Sequence, residues 1–377
     1  MATEAANGAS AGQSKGVILI SAGGTGGHLF PAESLAAELG ARGWTVDLAT
    51  DERADKYGRA FPARMIHIIA SQTIRGRSPS ALVKTALALG RGILQSMRLI
   101  GRIKPAAVVG FGGYPTFPPL MAATLMRVPT VLHEQNAVMG RANARLSRRV
   151  AKIATSFPDV RMPEAARAKV VLTGNPVRSM VIKAARLAYD PPQPGGDFRL
   201  LVFGGSQGAR YFADAVPPAI ALLPGDLRRR LRLVQQVRSE DMARVTEALA
   251  GLGVAFDIAP FFVDLPDRIA ASHLVICRSG ASTVTELSVI GRPSILVPLP
   301  GALDQDQAAN ARVLERAGGA WPHAQATLTP EALAAEIARM MADPSALIAA
   351  ASAAHGCGRP DAVARLADVV ESVAVRA

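Results

Sequence analysis

His28 closes the run Gly23-Gly24-Thr25-Gly26-Gly27-His28, and its type and place admit two readings. An imidazole titrates near neutrality, so at the mouth of an anion cradle it can take a proton from an acceptor hydroxyl; elsewhere it is a capping or packing histidine. Three more segments carry groups of this kind. His133-Glu134-Gln135-Asn136 holds a carboxylate that could serve as a second base. Thr283 and Glu286 have capping-box spacing, so Glu286 either reaches back to a helix start or accepts hydrogen bonds from sugar hydroxyls. Asp304-Gln305-Asp306-Gln307 contains an Asp-x-Asp pair able to hold a divalent ion on a diphosphate, but it has no third carboxylate close by, and hard cations prefer several oxygen ligands.

These residues need elements to position them. Val17-Ile18-Leu19-Ile20 reads as a strand buried on both faces, the glycines let the chain turn tightly against a ligand, and a helical pattern opens at Pro31. A helix start aims unpaired N–H groups and a positive dipole end at the loop, which favours an anion. A plain strand-to-helix turn is the alternative, since one glycine loop is a weak signal. Asp51 and Glu52 follow a second strand, Thr45 to Thr50, where a dinucleotide fold holds ribose. The glycine spacing does not fit G-x-G-x-x-G, and no Walker A lysine is present.

The same order of strand and polar loop continues along the chain. Ala106 to Val109 leads to Gly110-Phe111-Gly112-Gly113-Tyr114-Pro115, Thr130 to Leu132 to the His133 segment, and Lys169 to Leu172 to Thr173-Gly174-Asn175-Pro176-Val177-Arg178. In an open parallel sheet such loops converge at the carboxyl ends of the strands. A proline- and glycine-rich stretch, 187–197, marks a domain boundary. Beyond it the opening pattern recurs, with Leu200 to Phe203 as strand and Gly204-Gly205-Ser206-Gln207-Gly208-Ala209 as a second glycine loop. Leu274 to Cys277 then runs into Arg278-Ser279-Gly280-Ala281, and Ser294 to Leu299 into the Asp304 loop. The fold class is α/β with two doubly wound halves: a loose tail over 1–15, a first domain over 16–186, a second over 198–360 and a last helix over 361–377.

The 377 residues suffice for two such domains. Two cysteines cannot form a disulfide framework, and no stretch reaches the roughly 20 apolar residues of a membrane span, because Lys84, Arg91 and Arg98 interrupt the longest candidate. Net charge is +12, unevenly placed: residues 1–186 hold 25 Lys+Arg against 10 Asp+Glu, the remainder 17 against 20. From Arg75 to Lys104 no acidic residue occurs, and Lys84, Arg91, Arg98 and Arg102 make one helical stripe beside Leu82, Leu87, Leu89, Ile93, Leu94, Met97 and Ile100. This is either a helix lying on anionic headgroups or a core-packed helix with a solvated basic face. Aromatics are 5% of the chain and do not interleave with the basic residues, which argues against nucleic acid.

Gly-Gly-Thr-Gly-Gly-His, Gly-Gly-Tyr, His-Glu-Gln-Asn, Gly-Asn-Pro-Val-Arg, Gly-Gly-Ser-Gln-Gly-Ala and Cys-Arg-Ser-Gly-Ala, in this order, resemble the bacterial peptidoglycan glycosyltransferases that make lipid II. The resemblance runs from about residue 16 to the C-terminus. It implies a GT-B architecture of two Rossmann-like domains facing across a cleft, with the last helix returning to the first. It also implies an inverting transfer of N-acetylglucosamine from UDP-N-acetylglucosamine to the C4 hydroxyl of the muramoyl sugar of lipid I. Residue by residue, it places uridine at Phe262, Ser206 and Arg178. The diphosphate falls on Ala281, Ser282 and Thr283, the helix start that continues through Val284 and Thr285, and the ribose falls on Glu286. The donor sugar falls on Gln307, Asn136, Thr25, Gly26 and Gly27, with His28 as base, Glu134 in reserve and Tyr114 toward the acceptor.

No cofactor and no metal is implied, since helix starts would meet the leaving-group charge. The same resemblance puts the protein on the cytoplasmic face of the bacterial inner membrane, held peripherally on anionic lipids through Arg75, Lys84, Arg91 and Arg98, with a cell-wall synthesis complex as a further partner. Asp306 stands where the family usually has glutamine, and Ser282 where it usually has leucine. Related nucleotide-sugar epimerases, glycolipid synthases and a basic module without chemistry are the rivals; His-Glu-Gln-Asn and Gly-Asn-Pro-Val-Arg argue against the first two.

Overall fold

Apolar runs that a sheet can bury on both faces supply the strands of two parallel sheets. The first half contains β1 (Val17–Ser21), α1 (Gly26–Ala41), β2 (Thr45–Thr50), β3 (Met65–Ile68), α2 (Pro79–Ile103) and β4 (Ala107–Gly110). It continues with α3 (Phe117–Leu125), β5 (Thr130–Glu134), α4 (Arg141–Leu146), β6 (Lys152–Thr155), β7 (Val170–Leu172) and α5 (Ser179–Ala184). The second half opens with β8 (Phe198–Phe203), α6 (Arg210–Leu222), α7 (Gly225–Arg230), β9 (Leu231–Gln236), α8 (Met242–Ala250), β10 (Ala255–Ala259) and α9 (Leu265–Ala271). Then follow β11 (Leu274–Cys277), α10 (Ala281–Ile290), β12 (Ser294–Leu296), α11 (Asp306–Ala317), β13 (Ala320–Pro322), α12 (Pro330–Ala342), α13 (Pro344–Gly356) and α14 (Ala362–Val373). The computed structural model describes residues 14–23, 26–52, 61–71, 79–205, 208–301 and 305–375, so Thr25, Arg75, Ser206 and Asp304 lie outside the described residues, as does the Lys84 side chain.

The seven-stranded sheet has the order β3-β2-β1-β4-β5-β6-β7, and the six-stranded sheet β10-β9-β8-β11-β12-β13. Strand order reverses beside β1 in one and beside β8 in the other, so each half has its ligand crevice where a glycine loop leaves the sheet. Ile18 pairs with Val46 on one side and Ala107 on the other, which explains the unbroken apolar run from Val17 to Ile20.

Several boundaries differ from the sequence expectation. α1 opens at Gly26, with Pro31 inside it, so Pro31 is not the first helical residue. β5 runs two residues past Leu132, which takes His133 and Glu134 out of the loop and into the buried sheet. β12 stops at Leu296 instead of Leu299. α5 precedes the proline-rich stretch yet packs on α9 and α10 of the second domain. Arg292, fully buried, donates to the Leu187, Ala188 and Ala270 carbonyls and thereby ties 187–197 to the second domain. α14 lies on α1, with Leu366, Ala367 and Val370 in one apolar cluster with Leu35 and Leu39. Glu371 accepts from Trp44 Nε1 at 2.8 Å, from Arg42 at 2.8 Å and from Lys15 at 3.1 Å, and these donors hold its pKa at about 2.

Candidate active site

Gly26 and Gly27 open α1 and present its first unpaired N–H groups; His28 is the third residue of the helix. After β4 the chain turns through Gly112 and Gly113 at φ +83° and +77° and lies against the imidazole. A Cβ on Gly112 would stand 3.6 Å from His28 Cε1, and one on Gly113 3.6 Å from Nε2. Burial pushes the His28 pKa down, opposed by the Phe111 carbonyl and the Gln135 side chain. The ring is therefore neutral at pH 7, the form that accepts a proton. Behind it, His133 Nε2 meets the Gly174 carbonyl at 3.1 Å, and burial lowers the His133 pKa to about 4. Tyr114 follows Gly113 and is half-buried.

Glu134 is not a free base. Its Oε1 accepts from Asn136 N at 3.0 Å, and its Oε2 accepts from Gly140 N at 3.0 Å and from Asn143 Nδ2 at 2.7 Å. The carboxylate is buried, and these bonds engage both oxygens in shaping the loop that carries Asn136.

Across the cleft, Gly280 is the N-cap of α10 and makes no side-chain cap. Val284 N already donates to the Gly280 carbonyl at 3.0 Å, so the N–H groups of Ala281, Ser282 and Thr283 are the unpaired donors. The Val284 side chain is in the core, and the Thr285 hydroxyl donates to the Ala281 carbonyl at 2.8 Å. Glu286 lies beyond the first turn, so it caps nothing; it forms an ion pair with Arg178 at 3.5 Å. Burial raises its pKa and Arg178 opposes the rise. The Arg178 guanidinium also lies 4.6 Å over the ring of Phe30 on α1, and its buried Nε has no partner.

The Gln307 Oε1 accepts from Leu299 N at 3.0 Å, which fixes the amide and leaves its NH₂ for a ligand. Asp306 Oδ1 accepts from Gln307 N at 2.8 Å, a helix-start position that suits a carboxylate. Among the described residues no group of three or more His, Cys, Asp or Glu could hold a metal ion. Phe262 is buried with the Arg268 guanidinium 4.2 Å over its ring, so its own side chain is covered; Phe261 and Val263 beside it are exposed.

Two residues that sequence reasoning missed connect these parts. Asn310 on α11 is fully buried, accepts from Ala137 N at 2.8 Å, and donates to Asn136 Oδ1 at 3.0 Å and to the Ser279 carbonyl at 3.2 Å. It joins the Asn136 loop of the first domain to the segment that leads into α10. Its signal was its place on the buried stripe with Ala311 and Leu314. Gln236, at the end of β9, accepts from Gly204 N at 3.0 Å and donates to the Pro260 carbonyl at 3.1 Å, which holds the second glycine loop beside the Phe262 segment.

On the outer side of the first domain, Arg91, Arg98 and Arg102 are exposed along α2, with Leu87, one turn before Arg91, 69% exposed and Leu94, between Arg91 and Arg98, 57% exposed. Ile100 is buried and Ile93 and Met97 pack on the core, so the apolar surface of the helix is narrower than its sequence implies. The edge strand β3 widens it with exposed Met65, Ile66 and Ile68. No described helix is long and apolar enough to cross a membrane.

Two Rossmann-like domains facing across a cleft, with a bare helix start on one wall and a neutral histidine on the other, define a nucleotide-sugar glycosyltransferase of the GT-B type. The profile of the glycosyltransferase family 28 N-terminal domain matches residues 18–155, and that of the family's C-terminal domain matches residues 199–366. The chain belongs to glycosyltransferase family 28. It is 59% identical over 360 residues, 95% of this chain and 98% of the relative, to the UDP-N-acetylglucosamine–N-acetylmuramyl-(pentapeptide) pyrophosphoryl-undecaprenol N-acetylglucosamine transferase of Rhodopseudomonas palustris. The protein of the same name in Mesorhizobium japonicum is 56% identical over 363 residues, 96% of each chain. A crystal structure of MurG from Acinetobacter baumannii superposes with a TM-score of 0.78 at 29% identity, covering 94% of this chain and 99% of that one.

Proposed function

We propose that the protein transfers N-acetylglucosamine from UDP-N-acetylglucosamine to the C4 hydroxyl of the muramoyl sugar of lipid I, with inversion, forming lipid II for peptidoglycan synthesis. The observation that carries the mechanism is the neutral imidazole of His28, held against Gly112 and Gly113 and carried on α1, the helix whose Phe30 stacks on the Arg178 that pairs with Glu286 of α10. The acceptor oxygen attacks C1 of the donor sugar while the bond from C1 to the UDP oxygen breaks. The hydroxyl proton passes to His28, and the electron pair leaves with the diphosphate. The N–H groups of Ala281, Ser282 and Thr283 meet that charge without reorganising, which is what makes such donors effective.

Around this centre, Glu286 receives the ribose hydroxyls and is held by Arg178. Gln307, Asn136, Thr25, Gly26 and Gly27 take the donor sugar, and Ser206 and the backbone about Phe262 take uridine. Tyr114 faces the acceptor. The basic, apolar surface of α2 and β3 rests on the anionic inner leaflet that carries the lipid acceptor, a peripheral attachment supported by the exposed Leu87 and Leu94 beside Arg91 and Arg98. The test is UDP release from UDP-N-acetylglucosamine and a lipid I analogue, compared with UDP-glucose and UDP-N-acetylgalactosamine, in EDTA and in magnesium. Release with the first donor alone, unchanged by EDTA, is expected. No release overturns the reaction, and release only in magnesium replaces the helix start with a cation.

A further inference from the structure

A cavity of about 570 Å³ lies at the junction of the two domains, and four arginines are among the residues that line it: Arg161 from the first domain, and Arg312, Arg316 and Arg359 from the second half of the chain. One carboxylate accompanies them, Asp159, which is 4.0 Å from Arg316. Three of these arginines belong to the half of the sequence in which acidic residues outnumber basic ones, so composition does not explain the cluster. Positive charges gathered around one concave mouth raise the local potential and draw an anion toward it.

The floor of the cavity supplies an independent observation. Asn175 lines it, is 2% exposed, and has no hydrogen-bond partner for either Oδ1 or Nδ2. A buried amide with neither its oxygen nor its nitrogen paired is costly, and a ligand group entering the cavity would satisfy it. Its position is fixed. Gly174 before it sits at φ +85°, its carbonyl meets His133 Nε2 at 3.1 Å, and its N donates to the Thr155 carbonyl at 3.1 Å. A Cβ at Gly174 would stand 2.9 Å from Arg359 Cβ, so the Arg359 segment packs directly on this turn.

We propose that this cavity is a second anion site that binds a polyphosphate-type oxyanion of nucleotide size. Guanidinium groups pair with phosphate oxygens in planar, two-pronged fashion, and four of them suit a ligand bearing several charges. The volume is that of a small-molecule site and exceeds what a bare ion fills. The site is separate from the donor crevice. Of the residues assigned to UDP-N-acetylglucosamine only Thr285 lines it, and its hydroxyl is turned to the Ala281 carbonyl. Because the walls come from both domains, an occupant links Arg161 and Asn175 to Arg312 and Arg316 and stabilises the arrangement in which they face one another.

The test uses the full chain with tripolyphosphate as the probe, titrated calorimetrically in saturating UDP so that the donor crevice is filled. One equivalent is expected to bind. The double variant Arg312→Glu/Arg316→Glu should weaken binding at least tenfold, and Asn175→Ala, with its folding checked by thermal melting, should weaken it severalfold. Arg228→Glu/Arg229→Glu on α7 makes the same charge change elsewhere and should leave binding as it is. No saturable binding, binding abolished by UDP, or equal weakening by both double variants would overturn the proposal. The readout needs no turnover, so its failure is distinct from failure of the transferase reading.

Discussion

Replacing Asn310 by alanine removes the one side chain that bonds to both the Asn136 loop and the Ser279 carbonyl. Ala137 N loses its acceptor, and Asn136 Oδ1 and the Ser279 carbonyl lose a donor, all at a position with no exposed surface. A buried donor left unsatisfied costs about 1–3 kcal/mol and each lost hydrogen bond about 1 kcal/mol net, so Asn310→Ala should lower stability by about 3 kcal/mol. The loss falls on the contact between domains. Urea unfolding followed through Trp44, in the first domain, and Trp321, in β13 of the second, should therefore show both a lower midpoint and two separated transitions. With Asn136 no longer oriented, KM for UDP-N-acetylglucosamine should rise about tenfold, equivalent to about 1.4 kcal/mol. Asn310→Asp keeps the acceptor for Ala137 N but sets carboxylate oxygens against two other oxygens, so it should not rescue. A single transition shifted by less than about 0.5 kcal/mol, together with an unchanged KM, would refute the account of Asn310 as the tie across the cleft.

Three further outcomes follow from the same structure. Glu371→Gln should lower the melting temperature at pH 7, since three donors hold the carboxyl at about pKa 2. That stabilisation is present above the carboxyl's ordinary pKa of 4.5 and fades as pH falls toward 2; a melting temperature equal to wild type at pH 7 contradicts it. His133 has its pKa lowered from 6.5 to about 4, so the unfolded chain binds the extra proton and stability falls as pH drops through that window, by about 3 kcal/mol at full extent. Urea midpoints of His133→Gln should depend less on pH between 6.5 and 4.5 than those of wild type, and parallel curves would dismiss the effect. Arg91→Glu/Arg98→Glu should cut sedimentation with anionic lipid vesicles severalfold, with little change on neutral ones; equal loss on both would leave only a generic defect.

What the sequence disclosed, and what it concealed, has physical causes. β1 and β11 were legible because a central parallel strand is buried on both faces and reads as an unbroken apolar run, Val17 to Ile20 in one and Leu274 to Cys277 in the other. β3 and β13 were not, since an edge strand has one partner and tolerates exposed residues in β3 or Pro322 in β13. β9 mixes Arg232, Gln235 and Gln236 into its run, and those amides work at the loop ends where the pattern of hydrophobicity says nothing. The helix start at Ala281 could be read from glycine followed by helix, whereas the fate of Glu134 depended on a two-residue strand extension and on how the loop after it folds back to bring Asn136, Gly140 and Asn143 onto the carboxylate. Asn310 and the arginine-lined cavity arise only when two domains meet, which no local spacing encodes.

The reaction centre itself is tested most directly by His28→Ala, assayed for turnover and for donor affinity on the same preparation. A base that acts only as the acceptor loses its proton contributes ~10² to 10⁴ in rate. The account predicts a fall in kcat of that order with KM for UDP-N-acetylglucosamine within about twofold of wild type. Loss of donor affinity matching the loss of turnover, or a kcat close to wild type, would contradict it.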